Sequence, residues 1–401
     1  MLLAERDRLN EYFAAIPPMT VLAVQDTTDL DLTGKRVSGK IGSLNYAHRK
    51  GYYVHNHLLF DTKGIGLGLF DQDMWSRQAE YFGQNRSLWP LEDKESHRWL
   101  RQFLSLQAFF AGFPQHTAVD ICDREGDFYE MFQARSAANV HLLIRSNKDK
   151  ELASGEKLWP TLAAQTAFHI YKAKIFDDKG KRHELTFRVK FCAVTILANY
   201  RAGRDQPEQS NPVGLSGVLV EQVSPLQAWQ KKPVVWRLLT TLPVESFEQA
   251  LQIVGFYIRR WRIEEFHYVL KQGCRIEDSQ LKEPQSLENA ITFYSLLAWK
   301  VLNLRYGASE LSSAPIEDFG FSAKDFFVLA TFLNHTGRAK IDPCKPCPGV
   351  GEFAKYVKLL ATASKSKGPP GVKSLWIGLE KLYFLAKAFE AITLSKNLCV
   401  L

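Results

Sequence analysis

The sequence predicts a mixed α/β fold with an antiparallel β insertion and a C-terminal helical region. Three observations carry this. Apolar runs alternate with helical periodicity from Thr20 to Ile144. From about Lys150 to Thr241 the texture changes to alternating β segments parted by turn-rich pieces. Beyond Ser246, three- and four-residue apolar spacing dominates.

The elements follow in order. Met1 to Ala15 reads as one helix, and Thr20 to Val24 as a buried strand ending at Gln25 and Asp26. Tyr52–Phe60 and Ile65–Phe70 read as strands joined through Asp61-Thr-Lys-Gly64. Trp99, Phe103, Leu106 and Phe110 mark a helix over Asp93–Phe110. Ala118–Cys122 is a strand running into Asp123, with a helix from about Asp127, and His141–Ile144 is another strand. The insertion holds β segments at Phe168–Phe176, Glu184–Ile196, Gly217–Val223 and Val234–Thr241, read as antiparallel and separate from the first sheet. A long helix runs from near Ser246 to about Gln272, followed by helices near Ser286–Tyr306, Ala323–Asn334 and Leu375–Lys396. The expected units are a core in two parts (1–149 and 246–310), the insertion (150–245) and a helical region (311–401).

Composition sets bounds on function. The 401 residues are 46% hydrophobic and 23% charged, which excludes a disordered or collagenous chain. No apolar run approaches the roughly 20 residues of a membrane span, so no membrane partner is expected. Charges near Met1 and six scattered cysteines point to a cytoplasmic protein without a disulfide framework. Lys and Arg outnumber Asp and Glu by 51 to 43, a modest lean toward a polyanionic partner.

The long helix is the most informative element. Tyr257, Arg260, Glu264 and Lys271 fall within roughly a 60° arc at about 100° per residue, while Ile263, Phe266 and Leu270 occupy another. Taken alone, this stripe reads equally as a surface ladder of ion pairs. It gains meaning if Asp26 and Asp123, each placed after a strand, converge on Glu264. Asp29 and Asp127 read instead as turn formers or helix caps. Two carboxylates about 4 Å apart repel by roughly 4 kcal/mol at an effective dielectric near 20. A trio therefore needs protons or cations, and hard oxygens suit Mg²⁺ or Mn²⁺. Two such ions would serve phosphoryl transfer. Arg145, Lys148, Arg259 and Arg262 are among the basic residues that could meet phosphates.

Other signals are weak. Gly64-Ile-Gly-Leu-Gly68 lacks the strand-to-helix context of a dinucleotide loop. Cys344 and Cys347 lack a second ligand pair at zinc spacing. His55 and His57 read as packing residues, and Trp236 as core or as a platform for an unpaired base.

Tyr257-x2-Arg260-x3-Glu264-x6-Lys271, with Trp-Arg-Ile-Glu-Glu-Phe-His inside it, resembles the signature of bacterial DDE transposases of the insertion-sequence-four and transposon-five type. Asp26-Thr-Thr, Cys122-Asp-Arg-Glu-Gly-Asp127 and Trp236-Arg-Leu-Leu-Thr-Thr241 extend the similarity. The resemblance implies an RNase H-like core in which Asp26, Asp123 and Glu264 are catalytic and hold two Mg²⁺ or Mn²⁺ ions. Tyr257, Arg260 and Lys271 would grip DNA phosphates, with Arg145 and Lys148 nearby, and Trp236 would support a flipped base. DNA, as transposon ends and target, is the implied partner, and a homodimer the implied active form, built on a C-terminal helix with Leu379, Leu382, Leu385 and Phe389 as its apolar stripe. With 25 residues before Asp26, an N-terminal end-recognition domain is expected to be missing or truncated. The alternative expectation is a transposase derivative that binds DNA or dimerises as an inhibitor.

Overall fold

The computed structural model describes all residues except 79–83, 85–88, 177–181, 198–210, 362–369 and 399–401. Its centre is one nine-stranded sheet in the order β3-β2-β1-β4-β5-β9-β8-β7-β6. The strands are β1 (Thr20–Asp31), β2 (Gly51–Asp61), β3 (Gly66–Trp75), β4 (Thr117–Cys122), β5 (Val140–Arg145), β6 (His169–Phe176), β7 (Arg182–Ile196), β8 (Val213–Gln222) and β9 (Val235–Thr240). The pairs β1–β4 and β4–β5 are parallel and every other pair is antiparallel.

Successive side chains of β1 alternate between two cores, as the pleat requires. Val21 and Ala23 pack under α1 (Leu2–Ala15), α2 (His97–Phe110), α3 (Tyr129–Gln133) and α4 (Leu158–Ala163). Leu22 and Val24 pack with the larger core on the other face. That face carries α5 (Phe247–Arg259), α6 (Trp261–Tyr268), α7 (Pro284–Glu310), α8 (Ala323–His335), α9 (Val350–Ala361) and α10 (Val372–Leu398). Both faces are covered, which explains the apolar runs Val21–Val24 of β1 and Leu142–Ile144 of β5. Among the described residues, no helix is long and apolar enough to cross a membrane.

Several sequence expectations need correction. β1 does not stop at Asp26: Asp26 to Asp31 continue by pairing with β2, although the parallel pairing with β4 ends at Val24 opposite Ile121. The insertion is not separate from the first sheet. β9 pairs antiparallel with β5, Leu143 opposite Thr240, and this joins both sets of strands. The long helix is interrupted at Arg260, and Val269–Gly273 forms a wider π turn. Helices α4 and α9 were not anticipated, although Val350, Phe353, Ala354, Val357 and Leu360 have helical spacing. In α10, Leu382 is buried and Leu379 and Leu385 pack on the chain's own core, so three of the four residues of the expected dimer stripe face inward, while Phe389 is exposed. Tyr383 and Phe384 are exposed as well.

Candidate active site

The site is built where the parallel part of the sheet ends. Asp26 shares the alternation of Leu22 and Val24, and so points toward α5 and α6 just past the last β1–β4 pair. Asp123 follows β4 and accepts the Glu125 N–H at 2.7 Å, capping a short 3₁₀ turn over Arg124–Gly126. Glu264 comes from α6, whose preceding helix is started by a capping box between Ser246 and Gln249.

Arg260 stands between two of these carboxylates. Its Nη1 lies 3.6 Å from Asp26 Oδ2, and its Nη2 donates to Glu264 Oε1. Burial pushes the Asp26 acid up to about 7; Arg260 and the Thr27 N–H oppose this, while Asp123 and Glu264 add to it. Burial likewise raises Glu264, with Arg260 opposing and Asp123 reinforcing. Burial alone would lower the Arg260 pKa, but Tyr257, Glu264 and Asp26 together raise it. All three carboxylates thus lie within electrostatic reach of one another. Among the described residues, no three His, Cys, Asp or Glu side chains stand as a ready ion site. The chemistry of the three acids is that of hard-cation ligands, and burial outweighs Arg260 in raising the Asp26 acid, so a cation nearby would favour its ionised form.

Besides Arg260, three of the expected phosphate contacts and the expected base support Trp236 lie at this centre or on its flank. Tyr257 is 5% exposed; burial raises its pKa, with Arg260 and Arg145 opposing. Arg145 donates from Nη2 to the Val235 carbonyl at 3.1 Å. Trp236 meets Tyr257 edge-on at 5.4 Å and stacks on Phe187 at 5.8 Å, so it is half-buried by its own core. Lys148 is exposed on the turn after β5. Lys271 lies apart from this group. It extends from the π turn to Asp29 Oδ1 at 2.9 Å, with Arg49 on the same carboxylate at 3.4 Å. Asp29 is therefore an ion-paired strand residue, not a cap.

Sequence reasoning missed three supporting groups. Asp127 accepts the Asn147 N–H at 2.6 Å and pairs with buried Lys150 at 2.8 Å, tying the turn after β4 to the turn after β5. On the sheet face away from the carboxylates, His55 bonds Thr27 Oγ1 at 2.8 Å and Gln25 Oε1 at 3.0 Å. Gln25 in turn donates to Asp120 Oδ2 at 2.6 Å, beside His57 at 3.3 Å. On the site face, His267 bonds Asn56 at 3.1 Å; burial, then Lys271 and Arg260, lower its pKa to about 3, so it is neutral. These partners lie tens to hundreds of residues apart, and no local pattern announces them.

Residues 112–299 match the family model described as Transposase DDE domain. The match supports a DDE transposase; it includes Asp123 and Glu264 and begins after Asp26. Among solved structures, the chain is similar to a cryo-EM structure of a piggyBac transposase synaptic complex with hairpin DNA, at a TM-score of 0.36 and 8% identity. That likeness covers 76% of this chain and 51% of the other, so the chain spans about half the length of that protein.

Proposed function

We propose that this chain is a DNA transposase of the insertion-sequence-four and transposon-five type, with an RNase H-like core that cuts strands at transposon ends and joins them to target DNA. The observation that carries this reading is Arg260 paired with both Asp26 and Glu264, with Asp123 within electrostatic reach of the two acids, the three carboxylates coming from distant segments. The order β3-β2-β1-β4-β5, antiparallel then parallel, supports the core assignment.

Asp26, Asp123 and Glu264 would hold Mg²⁺ or Mn²⁺, two ions in the two-metal scheme, which supply activation of the attacking oxygen and stabilisation of the leaving one. The chain's own part is to orient the DNA. Arg145 and Arg260 place positive charge beside the carboxylates, where a phosphodiester would otherwise be repelled. The Tyr257 ring lies 5.9 Å from the Arg260 guanidinium, and Arg145 is within electrostatic reach of its hydroxyl. Lys148 adds charge at the rim, and Lys271 reaches phosphate by exchanging Asp29 for it. Trp236, once withdrawn from Phe187, offers a ring face to an unpaired base. The homodimer that bridges two DNA ends is supported by the exposed Tyr383 and Phe384 of α10.

The test is nicking of supercoiled DNA with Mg²⁺ or Mn²⁺. Glu264→Gln keeps the side chain's size and removes its charge, so it should abolish cleavage while the circular-dichroism spectrum stays unchanged. Undiminished nicking by the variant would remove Glu264 from the mechanism.

A further inference from the structure

Helix α6 is only 8 residues long, and its hydrogen-bond ladder is irregular at both ends. It breaks from α5 at Arg260 and widens into the π turn at Val269. Backbone bonding therefore leaves the rotation of this segment weakly specified. Side chains specify it instead. Arg260 reaches Asp26 where the helix starts, and His267 reaches the sheet near its end. Glu264 lies four residues after Arg260 and three before His267, on the same side of the helix as both.

The residue that His267 meets is the cross-strand neighbour of Asp26. Asn56 stands directly opposite Asp26 in the β1–β2 ladder. Both side chains therefore project from one face of the sheet, with Cβ atoms about 4.5–5.5 Å apart. The Asn56 amide is engaged at both ends: Nδ2 lies 3.1 Å from His267 Nε2, and Oδ1 accepts from Gln72 Nε2 at 2.7 Å. Gln72 also donates to Ser295 Oγ of α7 at 2.8 Å. Because Gln72 takes the oxygen, the Asn56 nitrogen faces the imidazole, and Nε2 of a neutral ring accepts. All four residues of this chain are buried, on a face otherwise packed with Val54, Leu58, Phe266 and Leu270. A polar chain through an apolar core adds little net stability but admits few alternative arrangements.

We propose that His267 and Asn56 are positioning residues for cleavage: their hydrogen bond fixes α6 against β2 and thereby sets the spacing of Glu264 from Asp26. The inference rests on the cleavage reading of these acids. It gives His267 and Asn56 no contact with DNA or with an ion; both act through the carboxylates beside them. Arg260 ties the same two acids by charge, and the neutral bond one turn beyond Glu264 supplies the second point that stops α6 from turning about the first.

The test uses the full chain, with Mn²⁺ binding followed by titration calorimetry without DNA and, separately, nicking of supercoiled DNA in Mg²⁺. His267→Leu keeps buried bulk and removes the acceptor. Mn²⁺ affinity and kcat should each fall by about 10–100-fold, as for other groups that stand behind metal ligands. KM for DNA should stay within about twofold, because no DNA contact is lost. His267→Gln, whose Oε1 accepts from Asn56 Nδ2, should recover most of both losses. His267→Leu combined with Asn56→Leu should lose no more than the worse single variant, since both act through one bond. If His267→Leu fails to fold, Gln72→Met, which releases Asn56 from behind, should weaken Mn²⁺ binding severalfold. The proposal is overturned if the parent binds no Mn²⁺, if folded His267→Leu binds and nicks like the parent, if His267→Gln is as impaired as His267→Leu, or if Gln72→Met binds like the parent. Glu264→Gln separates the two readings. Loss of nicking there beside a parent-like His267→Leu overturns only the positioning; undiminished nicking there beside His267-dependent Mn²⁺ binding overturns only the cleavage reading.

Discussion

Asp26 sits in a strand that buries it, beside two other carboxylates and one arginine, and its acid is raised from 3.8 to about 7. A raised carboxyl pKa favours the protonated form in the folded state. Its contribution to stability is therefore complete below the unfolded pKa and is lost as pH rises through about 7. In the absence of divalent ions, the parent should lose melting temperature across that window, and Asp26→Asn, which stays neutral, should flatten the fall. Parallel curves for the two proteins would contradict the assigned environment. At this scale the sequence was informative for acids that follow apolar runs, which is how Asp26 and Asp123 came forward, and for helical spacing, which brought forward Glu264. It was silent on Arg260 as the bridge between Asp26 and Glu264, because i to i+4 spacing alone reads as a surface ion pair. It was silent also on Asp127 and Lys150, whose meeting depends on two turns being side by side.

Helix α5 begins where Ser246 and Gln249 exchange hydrogen bonds with each other's backbone. Ser246→Ala should cost about 1 kcal/mol of stability by denaturant titration. Helix α10 is held on α9 more closely than its side chains suggest. A Cβ on Gly378 would lie 2.2 Å from the Val357 carbonyl oxygen, so the two backbones are nearly in contact. Gly378→Ala should destabilise by about 1–3 kcal/mol, as overpacking does, and a melting temperature equal to the parent's would show that α10 can slide. Most helices, though not α4 and α9, were legible because apolar spacing reports which face is covered. The π turn at Val269–Gly273 was not, since one wider turn leaves the spacing on either side intact. The length of β1 was missed for a related reason: Thr27 to Asp31 are polar apart from Leu30, and their pairing with β2 makes them strand.

The insertion and the core share one sheet, and the junction is the short ladder of Leu143, Ile144 and Arg145 with Thr240, Leu239 and Leu238. Ile144 and Leu239 should therefore exchange their amide hydrogens with the same opening free energy. Hydrogen exchange followed by mass spectrometry checks this, and an insertion peptide that exchanges well ahead of β5 would mean two independent units. The strands themselves were legible from alternation, but which outer strand meets which is a matter of register across some ninety residues, and periodicity carries no such address. The same junction decides how this protein tolerates trimming. A chain relieved of the segment from β6 through β9 would keep its carboxylates on paper, yet β5 would face solvent with its ladder groups bare. Such a free margin recruits strands from neighbouring molecules. A minimal version of this protein would come out of the cell as aggregate unless a new strand, a proline or a charged border were grafted onto β5.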